Sequence, residues 1–281
     1  MVILAGCWIQ TLAYKFGQSF GDDMKSVGVM GLWGWAIDNH RSMFFSRNHE
    51  SPSEDCILAS YTIMNAVNGL HTRGRYCTLK HFAIYDCGAN SPKDTSYWLT
   101  EQSLRENQLR GYYKPIVLAG ALGVMTAYRG PGAAVAESSV GMITGILRRE
   151  WQFKGAITTD YTGTETGAHS ELIVRAGGDL GMGNKLTPNG WTYDSNSSLR
   201  FQNRLKQVVK DVLYMWLHAD YLEQQYLANP DASDVFLSST SIQSWEWWRP
   251  ALKGINVFVI SGLSVWTLFV VIDLFDPSKD W

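Results

Sequence analysis

Polar residues interrupt or end several short apolar runs of this sequence, where burial is costly unless the side chains are partnered. They form three adjacent pairs: Lys80 with His81, Tyr128 with Arg129, and Asp160 with Tyr161. A buried Lys-His pair needs a carboxylate partner or a polar site. For any one pair, a satisfied internal ion pair is the structural alternative. Because three pairs recur in regular order, we favour a single substrate site built from several strand ends.

The elements that must position these side chains alternate between strands and helices from residue 30 to residue 185. The apolar runs predict strands, and the longer patterns between them predict helices, among them Trp98–Tyr113 and Val140–Arg149. The predicted strands are Gly31–Ile37, Thr78–Tyr85, Ala121–Ala127, Ala156–Thr159 and a shorter run near Leu172–Ala176. Such alternation favours an α/β fold with a parallel sheet, whose carboxyl strand ends converge on one face. No G-x-G-x-x-G turn follows a strand, which disfavours a dinucleotide-binding sheet.

Composition narrows the classes of partner. The 281 residues carry 24 Lys and Arg against 26 Asp and Glu, so no basic surplus predicts a nucleic-acid partner. The four cysteines show no CxxC spacing, and we predict neither a metal site nor a cofactor. The 12 Trp and 13 Tyr residues fit sugar-stacking sites, a membrane interface or a large core, and composition does not choose among these.

The C-terminal region contains an uncharged stretch long enough to cross a bilayer. Residues 255–272 read INVFVISGLSVWTLFVVI, and Trp245, Trp247 and Trp248 lie just before them, where an aromatic belt is expected. We predict a single-pass membrane anchor over 254–273 that contacts membrane lipid, with its orientation undetermined. A buried C-terminal helix is the alternative. Upstream, the apolar spacing in Leu199–Leu227 predicts an amphipathic helix that faces the core.

Short motifs follow one another through the first two thirds of the chain. They are NHRS, SRNHE and SED between residues 39 and 55, KHFA at 80–83, EQ and RE at 101–106, MTAY at 125–128, LRREWQFKG at 147–155, TDY at 159–161 and RAGGDL at 175–180. Their order and spacing over about residues 4–185 resemble those of glycoside hydrolase family 3, the β-glucosidase family.

The resemblance implies a fold and a domain organisation. We expect an incomplete (β/α)8 TIM-type barrel over 1–195, followed by a helical tail and linker over 196–253. The predicted transmembrane helix at 254–273 and a short polar tail at 274–281 complete the chain. Because residues 4–8 resemble a segment inside the family's barrel, we expect the sequence to begin after the first barrel units.

The resemblance also implies an activity, the hydrolysis of terminal non-reducing β-D-glucosyl residues with retention of configuration. Asp160 falls on the nucleophile position of the family. Arg47, Lys80 and His81 fall on positions that contact sugar hydroxyls, and Met125 and Tyr128 match residues that flank the nucleophile. The implied substrate is a β-glucoside or an oligosaccharide.

A general acid/base is missing from this pattern. In two-domain members it comes from an α/β-sandwich domain, for which this sequence has no room. That domain would have to come from another chain or from sequence of the protein outside these 281 residues. The His-containing loop of the family's hexosaminidases is absent. Four positions also depart from the glucosidase pattern: Tyr85, Gly88, Ser91 and Arg129. Whether the chain is an enzyme therefore stays open, and the alternative is a catalytically impaired remnant or a sugar-binding membrane protein.

Overall fold

The computed structural model describes residues 1–86, 96–161, 170–182 and 198–219. The chain divides into two compact units, Met1–Asp231 and Ala232–Trp281. Within the described ranges, no helix combines the length and the apolarity needed to cross a membrane. The predicted anchor at 254–273 and polar tail at 274–281 lie outside the described residues, as do Gly88 and Ser91.

A five-stranded parallel sheet organises the described residues. Its strands are β1 (Gly31–Ala36), β2 (Tyr76–Phe82), β3 (Gly123–Thr126), β4 (Ala156–Tyr161) and β5 (Leu180–Met182). They lie side by side in sequence order, with Gly31 opposite Tyr76 and Gly123 opposite both Thr78 and Ala156. This order has no reversal point, unlike that of a doubly wound sheet, and it matches consecutive βα units of a barrel wall. The predicted α/β fold with a parallel sheet is confirmed.

In the part of the chain that the structure describes, besides two short 3-10 helices at Asn48–Glu50 and Ala136–Ser138, seven helical regions connect or flank these strands. They are α1 (Val2–Gly6), α2 (Gln10–Ser26), α3 (Cys56–His71), α4 (the consecutive segments Glu101–Ser103, Leu104–Leu109, Arg110–Tyr113 and Lys114–Leu118), α5 (Gly141–Glu150, of π-helical geometry), α6 (Ser170–Ala176) and α7 (Leu199–Leu217). Side-chain caps fix where three of them begin, because Asp55, Thr100 and Ser198 each accept a hydrogen bond from a backbone N–H of the first turn.

The strand predicted near Leu172–Ala176 is wrong, since these residues belong to helix α6. The ion pair between Glu171 and Arg175, one helical turn apart, stabilises the helix. The run is too short for its apolar period to separate a strand from a buried helix. The strand follows later as β5, which has only three residues and therefore gave no readable pattern.

Helices α2 and α3 pack so closely that two glycines are required between them. A Cβ on Gly17 would lie 2.0 Å from the Ala66 carbonyl oxygen, and a Cβ on Gly69 would lie 2.0 Å from that of Tyr14. On the same side of the sheet, Trp35 of β1 packs against aromatic rings of α2. The helix pair therefore gives β1 and β2 a well-packed support.

Helix α7 packs against the amino ends of the strands, opposite the edge that carries the polar pairs. Its Met215 joins Leu122 and Ala156 in an apolar cluster. Beside this cluster, four mostly buried charged side chains form a second contact: Asp211 and Arg204 of α7 meet Arg148 and Asp179. The core-facing amphipathic helix predicted from residue 199 is confirmed as far as Leu217.

Candidate active site

Polar side chains from four neighbouring strands meet at the carboxyl edge of the sheet. Asp38 follows β1, His81 lies near the end of β2, Tyr128 follows β3, and Asp160 lies near the end of β4. Because the strands are parallel and consecutive, their carboxyl ends lie side by side. The structure thus gathers polar residues that are up to 122 positions apart in the sequence.

Asp160 presents one carboxylate oxygen that is free of hydrogen bonds. Its Oδ1 accepts a hydrogen bond from the Tyr161 backbone N–H at 2.6 Å. Its Oδ2 is buried, has no hydrogen-bond partner within the described ranges, and lies 3.5 Å from His81 Nε2. The side chain as a whole is 13% exposed, although Oδ2 itself is covered. A carboxylate oxygen without a hydrogen bond has lone pairs that can attack another reactant.

The His81 imidazole is oriented by Asp38. The Asp38 carboxylate lies 2.9 Å from His81 Nδ1 and also accepts the His81 backbone N–H at 3.1 Å, while the Tyr112 hydroxyl donates to it at 3.4 Å. On the other side of the ring, Arg47 Nη2 lies 3.4 Å from His81 Nε2. Asp38 accepts the proton of Nδ1, and in this tautomer Nε2 accepts from the guanidinium, which only donates. The Asp160 carboxylate, 3.5 Å from the same Nε2, then makes no hydrogen bond to it.

Glu50 holds the two long cationic side chains of the site. Arg47 donates to both of its carboxylate oxygens, at 2.7 and 2.9 Å, and Lys80 Nζ lies 3.5 Å away. The hydrogen bonds from Arg47 lower the pKa of Glu50 to about 2, and those to Glu50 raise the pKa of Arg47. Glu50 and Arg47 therefore stay charged at neutral pH, and the hydrogen bonds between them fix the direction of the guanidinium.

Tyr128 lies beside the Asp160 carboxylate. Burial raises the pKa of its phenol, and the nearby charge of Asp160 raises this pKa further. The hydroxyl consequently keeps its proton beside the Asp160 carboxylate. Met125, in contrast, is a buried residue of β3 whose backbone lies opposite Thr158 of β4. Its thioether makes no recorded polar contact among the described residues.

The structure brings together five of the six residues that the sequence singled out: Arg47, Lys80, His81, Tyr128 and Asp160. Met125 is not part of this group, because it lies within β3, three residues before Tyr128. Sequence reasoning missed Asp38 and Glu50 as parts of the site, although Glu50 belongs to the SRNHE motif and Asp38 directly precedes the NHRS motif. Their signal was available, since Asp38 follows a predicted strand just as Tyr128 does. Tyr85 was noticed only as a departure from a family pattern.

No three or more His, Cys, Asp or Glu side chains are grouped as metal ligands within the described ranges. The site instead combines one free carboxylate oxygen with oriented cationic and neutral hydrogen-bond donors. On a consecutive parallel sheet, this combination fits the strand-end active site of a barrel-type enzyme, the class to which many glycoside hydrolases belong.

Comparison with known proteins agrees with this class. Residues 1–182 match the model of the glycosyl hydrolase family 3 N terminal domain. The chain therefore belongs to glycosyl hydrolase family 3, and its relatives make it β-glucosidase-like. It is 32% identical over 184 residues to beta-glucosidase B of Emericella nidulans, covering 64% of this chain and 21% of that protein. It is 29% identical over 181 residues to a beta-glucosidase of Rhizobium radiobacter, with 64% and 22% covered.

Solved structures resemble the fold. DesR, a β-glucosidase from Streptomyces venezuelae in complex with D-glucose, superposes with a TM-score of 0.62 and 26% identity over 81% of this chain and 29% of that one. Beta-glucosidase 3B from Thermotoga neapolitana, in complex with glucose, gives a TM-score of 0.70 and 23% identity over 82% and 33%, which supports the fold alone. The chain spans about a fifth of the length of the curated relatives it matches.

Proposed function

We propose that this chain carries the nucleophile and the sugar-binding groups of a retaining β-glucosidase, and that Asp160 is the nucleophile. The substrate is a β-glucoside or an oligosaccharide with a terminal non-reducing β-D-glucosyl residue. Support comes from the family membership and from relatives named as β-glucosidases. The observation that carries the proposal is the Asp160 Oδ2 atom, which is free of hydrogen bonds beside His81.

The proposed reaction has two steps. Asp160 Oδ2 attacks the anomeric carbon, the bond to the aglycone oxygen breaks, and a glycosyl ester forms on Asp160. The leaving oxygen takes a proton from a general acid or from water. A water molecule then adds to the anomeric carbon from the other face, and the Asp160–carbon bond breaks, so that glucose leaves with its original configuration. Arg47, Lys80 and His81 hold the sugar hydroxyls in register during both steps.

We propose that the general acid/base comes from an α/β-sandwich domain, supplied by another chain or by sequence of the protein outside these 281 residues. The two carboxyl groups of a retaining enzyme lie roughly 5–5.5 Å apart. Three other carboxylates of the described site are engaged by protein groups: Asp38 binds His81, Glu50 binds Arg47, and Asp86 binds Arg41. A second candidate follows from this engagement, namely a sugar-binding protein whose catalysis is impaired in isolation.

Hydrolysis of p-nitrophenyl β-D-glucoside tests the proposal, because p-nitrophenolate leaves without protonation. We expect the wild-type chain to release p-nitrophenol above background and the Asp160→Asn variant to fall to background. Asp23→Asn, the same change at an exposed position of α2, serves as the matched control and should keep wild-type activity. Equal release by the wild-type chain and Asp160→Asn would overturn the nucleophile assignment.

The effect of added azide tests whether the group that this chain lacks is the general acid/base. A small anion attacks the glycosyl ester without general-base help, so azide should raise the wild-type rate and yield β-glucosyl azide. It should not restore Asp160→Asn to the wild-type level, because no ester forms there. A protein that binds D-glucose but shows no turnover with or without azide is the sugar-binding candidate.

We also propose that residues 254–273 anchor the protein to a membrane in a single pass. The uncharged length and the preceding tryptophans support this proposal. In an expressing cell, the full chain should stay in the membrane pellet after alkaline carbonate washing, whereas a variant ending at residue 253 should be released. Release of the full chain by carbonate would contradict the anchor.

A further inference from the structure

Tyr85 lies at the centre of the polar site, although the mechanism above gives it no role. It follows β2 by three residues. Its ring centroid lies 4.6 Å from that of His81, 6.2 Å from that of Tyr128 and 5.6 Å from that of Phe45. His81 and Tyr128 are the two groups that adjoin Asp160. The Tyr85 ring therefore contacts both His81 and Tyr128, the residues that lie next to Asp160.

Two guanidinium groups also lie over the Tyr85 ring. The Arg47 carbon Cζ lies 5.3 Å from the ring centroid, and that of Arg129 lies 5.4 Å away. Both distances are within the range of a cation–π interaction. A tyrosine ring has two faces, and three groups, His81 and the two guanidiniums, lie within 5.4 Å of its centre. The ring is consequently engaged by protein groups and serves as a spacer between them.

The contact with Arg47 has a direct effect on the donors of the site. Glu50 binds one edge of the Arg47 guanidinium through two hydrogen bonds. These two bonds alone do not stop the guanidinium from rotating. Tyr85 restrains the guanidinium through its ring, and its hydroxyl adds to the stabilisation of the charged form. Restraint from both sides keeps Arg47 Nη2 at 3.4 Å from His81 Nε2. Without Tyr85, the guanidinium would lose the contact that keeps it over the site.

We propose that Tyr85 is a positioning residue that holds Arg47 against His81 and so keeps the hydrogen-bond donors of the sugar site in place. Tyr85 is one of the four positions that depart from the glucosidase pattern described above. The aromatic ring does the positioning, with the hydroxyl adding to it. The consequence for sugar binding rests on the proposed function, whereas the effect on His81 does not.

The His81 ring reports the positioning directly. We suggest ¹⁵N NMR of the imidazole nitrogens in the full chain, with the His81 signals identified by their loss in His81→Gln. In Tyr85→Leu the Nε2 signal should move, because Arg47 no longer donates to it. In Tyr85→Phe, which keeps the ring, it should stay within a small fraction of that shift. Unchanged His81 signals in Tyr85→Leu would overturn the proposal.

A matched control separates positioning from general loss of a tyrosine. Tyr61 of α3 is also partly buried and has a cation over its ring, since Lys114 Nζ lies 4.5 Å from its centroid. Tyr61→Leu should leave the His81 signals unchanged. If Tyr85→Leu unfolds, Tyr85→Met replaces it, since methionine fills a similar space without an aromatic face. A His81 shift of equal size in Tyr61→Leu would overturn the specific role of Tyr85.

Binding of D-glucose, measured by calorimetry, tests the consequence for the site. We expect the dissociation constant to rise about tenfold in Tyr85→Leu and less than about twofold in Tyr85→Phe, consistent with loss of a desolvated cation–π contact. An unchanged constant in Tyr85→Leu would contradict the role in sugar binding. If the wild-type chain binds no glucose and Asp160→Asn matches its hydrolysis, the proposed function fails instead. The His81 signals then still decide the positioning role.

Discussion

The Asp38 carboxylate lies 2.9 Å from His81 Nδ1, and both side chains are buried at the carboxyl edge of the sheet. Asp38 also accepts the backbone N–H of the same residue. Two contacts from one carboxylate fix both the rotation of the imidazole and the nitrogen that bears its proton. The opposite nitrogen consequently faces Arg47 and the Asp160 carboxylate.

Replacing Asp38 with Asn should disturb this arrangement. An amide oxygen keeps one acceptor but loses the negative charge that favours the Nδ1–H form, and its NH2 group donates to the ring. We expect kcat/KM for p-nitrophenyl β-D-glucoside to fall by about 100-fold, the effect of misplacing a contact in a site. Asp22→Asn, which removes the charge of an exposed pair with Arg73, should change kcat/KM less than about twofold. Wild-type kcat/KM in Asp38→Asn would exclude this orienting role.

From the lowered pKa of Glu50 we expect the folded state to lose stability in acid. Its pKa in the folded protein is about 2, below the ordinary value of 4.5, mainly because Arg47 donates hydrogen bonds to it. A lowered carboxyl pKa stabilises the folded state above pH 4.5, and this stabilisation is lost as the pH falls from 4.5 towards 2. Urea unfolding as a function of pH should therefore show a shallower decline in that window for Glu50→Gln. An identical decline in both proteins would refute the assignment.

We expect the protein to lose much of its stability when the charged contact made by α7 is broken. Asp211 is buried and lies 3.2 Å from Arg148 and 3.4 Å from Arg204. Asp211→Ala leaves two arginines with one carboxylate, and breaking a buried pair costs about 3–5 kcal/mol. Urea unfolding should detect this as a lower midpoint. Asp23→Ala, an exposed control, should stay within about 0.5 kcal/mol of the wild type. A loss below 1 kcal/mol for Asp211→Ala would show that the cluster is dispensable.

The close approach of α2 and α3 predicts that even one methyl group is too large at Gly69. A Cβ there would lie 2.0 Å from the Tyr14 carbonyl oxygen, a rigid backbone atom. Gly69→Ala should therefore destabilise the protein by about 1–3 kcal/mol despite the better helix propensity of alanine. Gly6, whose Cβ would meet nothing within 4 Å, is the matched position. Thermal melting should show a lower midpoint for Gly69→Ala and not for Gly6→Ala.

The proposed origin of the acid/base in a domain outside these 281 residues predicts how the rate depends on the leaving group. In the isolated chain, kcat/KM should fall steeply from aryl glucosides with acidic phenols to alkyl glucosides, because no acid protonates the departing oxygen. Loss of general acid catalysis removes about 10²–10⁴-fold of rate. A series of substituted phenyl glucosides measures the slope. Equal rates for p-nitrophenyl and methyl glucosides would indicate that this chain contains its own acid.

Much of the sheet was predictable from the sequence. The strands β1 to β4 are four to seven residues long and strongly apolar, so their existence follows from local pattern. The strand β5 and the helix α6 were not predictable from the sequence, because a three-residue strand and a seven-residue helix are too short to show a period. Their assignment depends on packing against neighbours that the local sequence does not contain.

For the site, the sequence by itself determined the residue types and their order, including Asp160, Arg47, Lys80, His81 and Tyr128. Polar residues that interrupt apolar runs placed Lys80, His81, Tyr128 and Asp160 at strand ends, whereas Arg47 followed from the family resemblance. Only the tertiary structure decided which groups touch. The pairing of Asp38 with His81 and the contacts of Tyr85 join residues from different βα units, and their geometry depends on strand register and loop path. Distances of a few ångströms between remote residues are set by the packing of the whole sheet, and no local pattern encodes them.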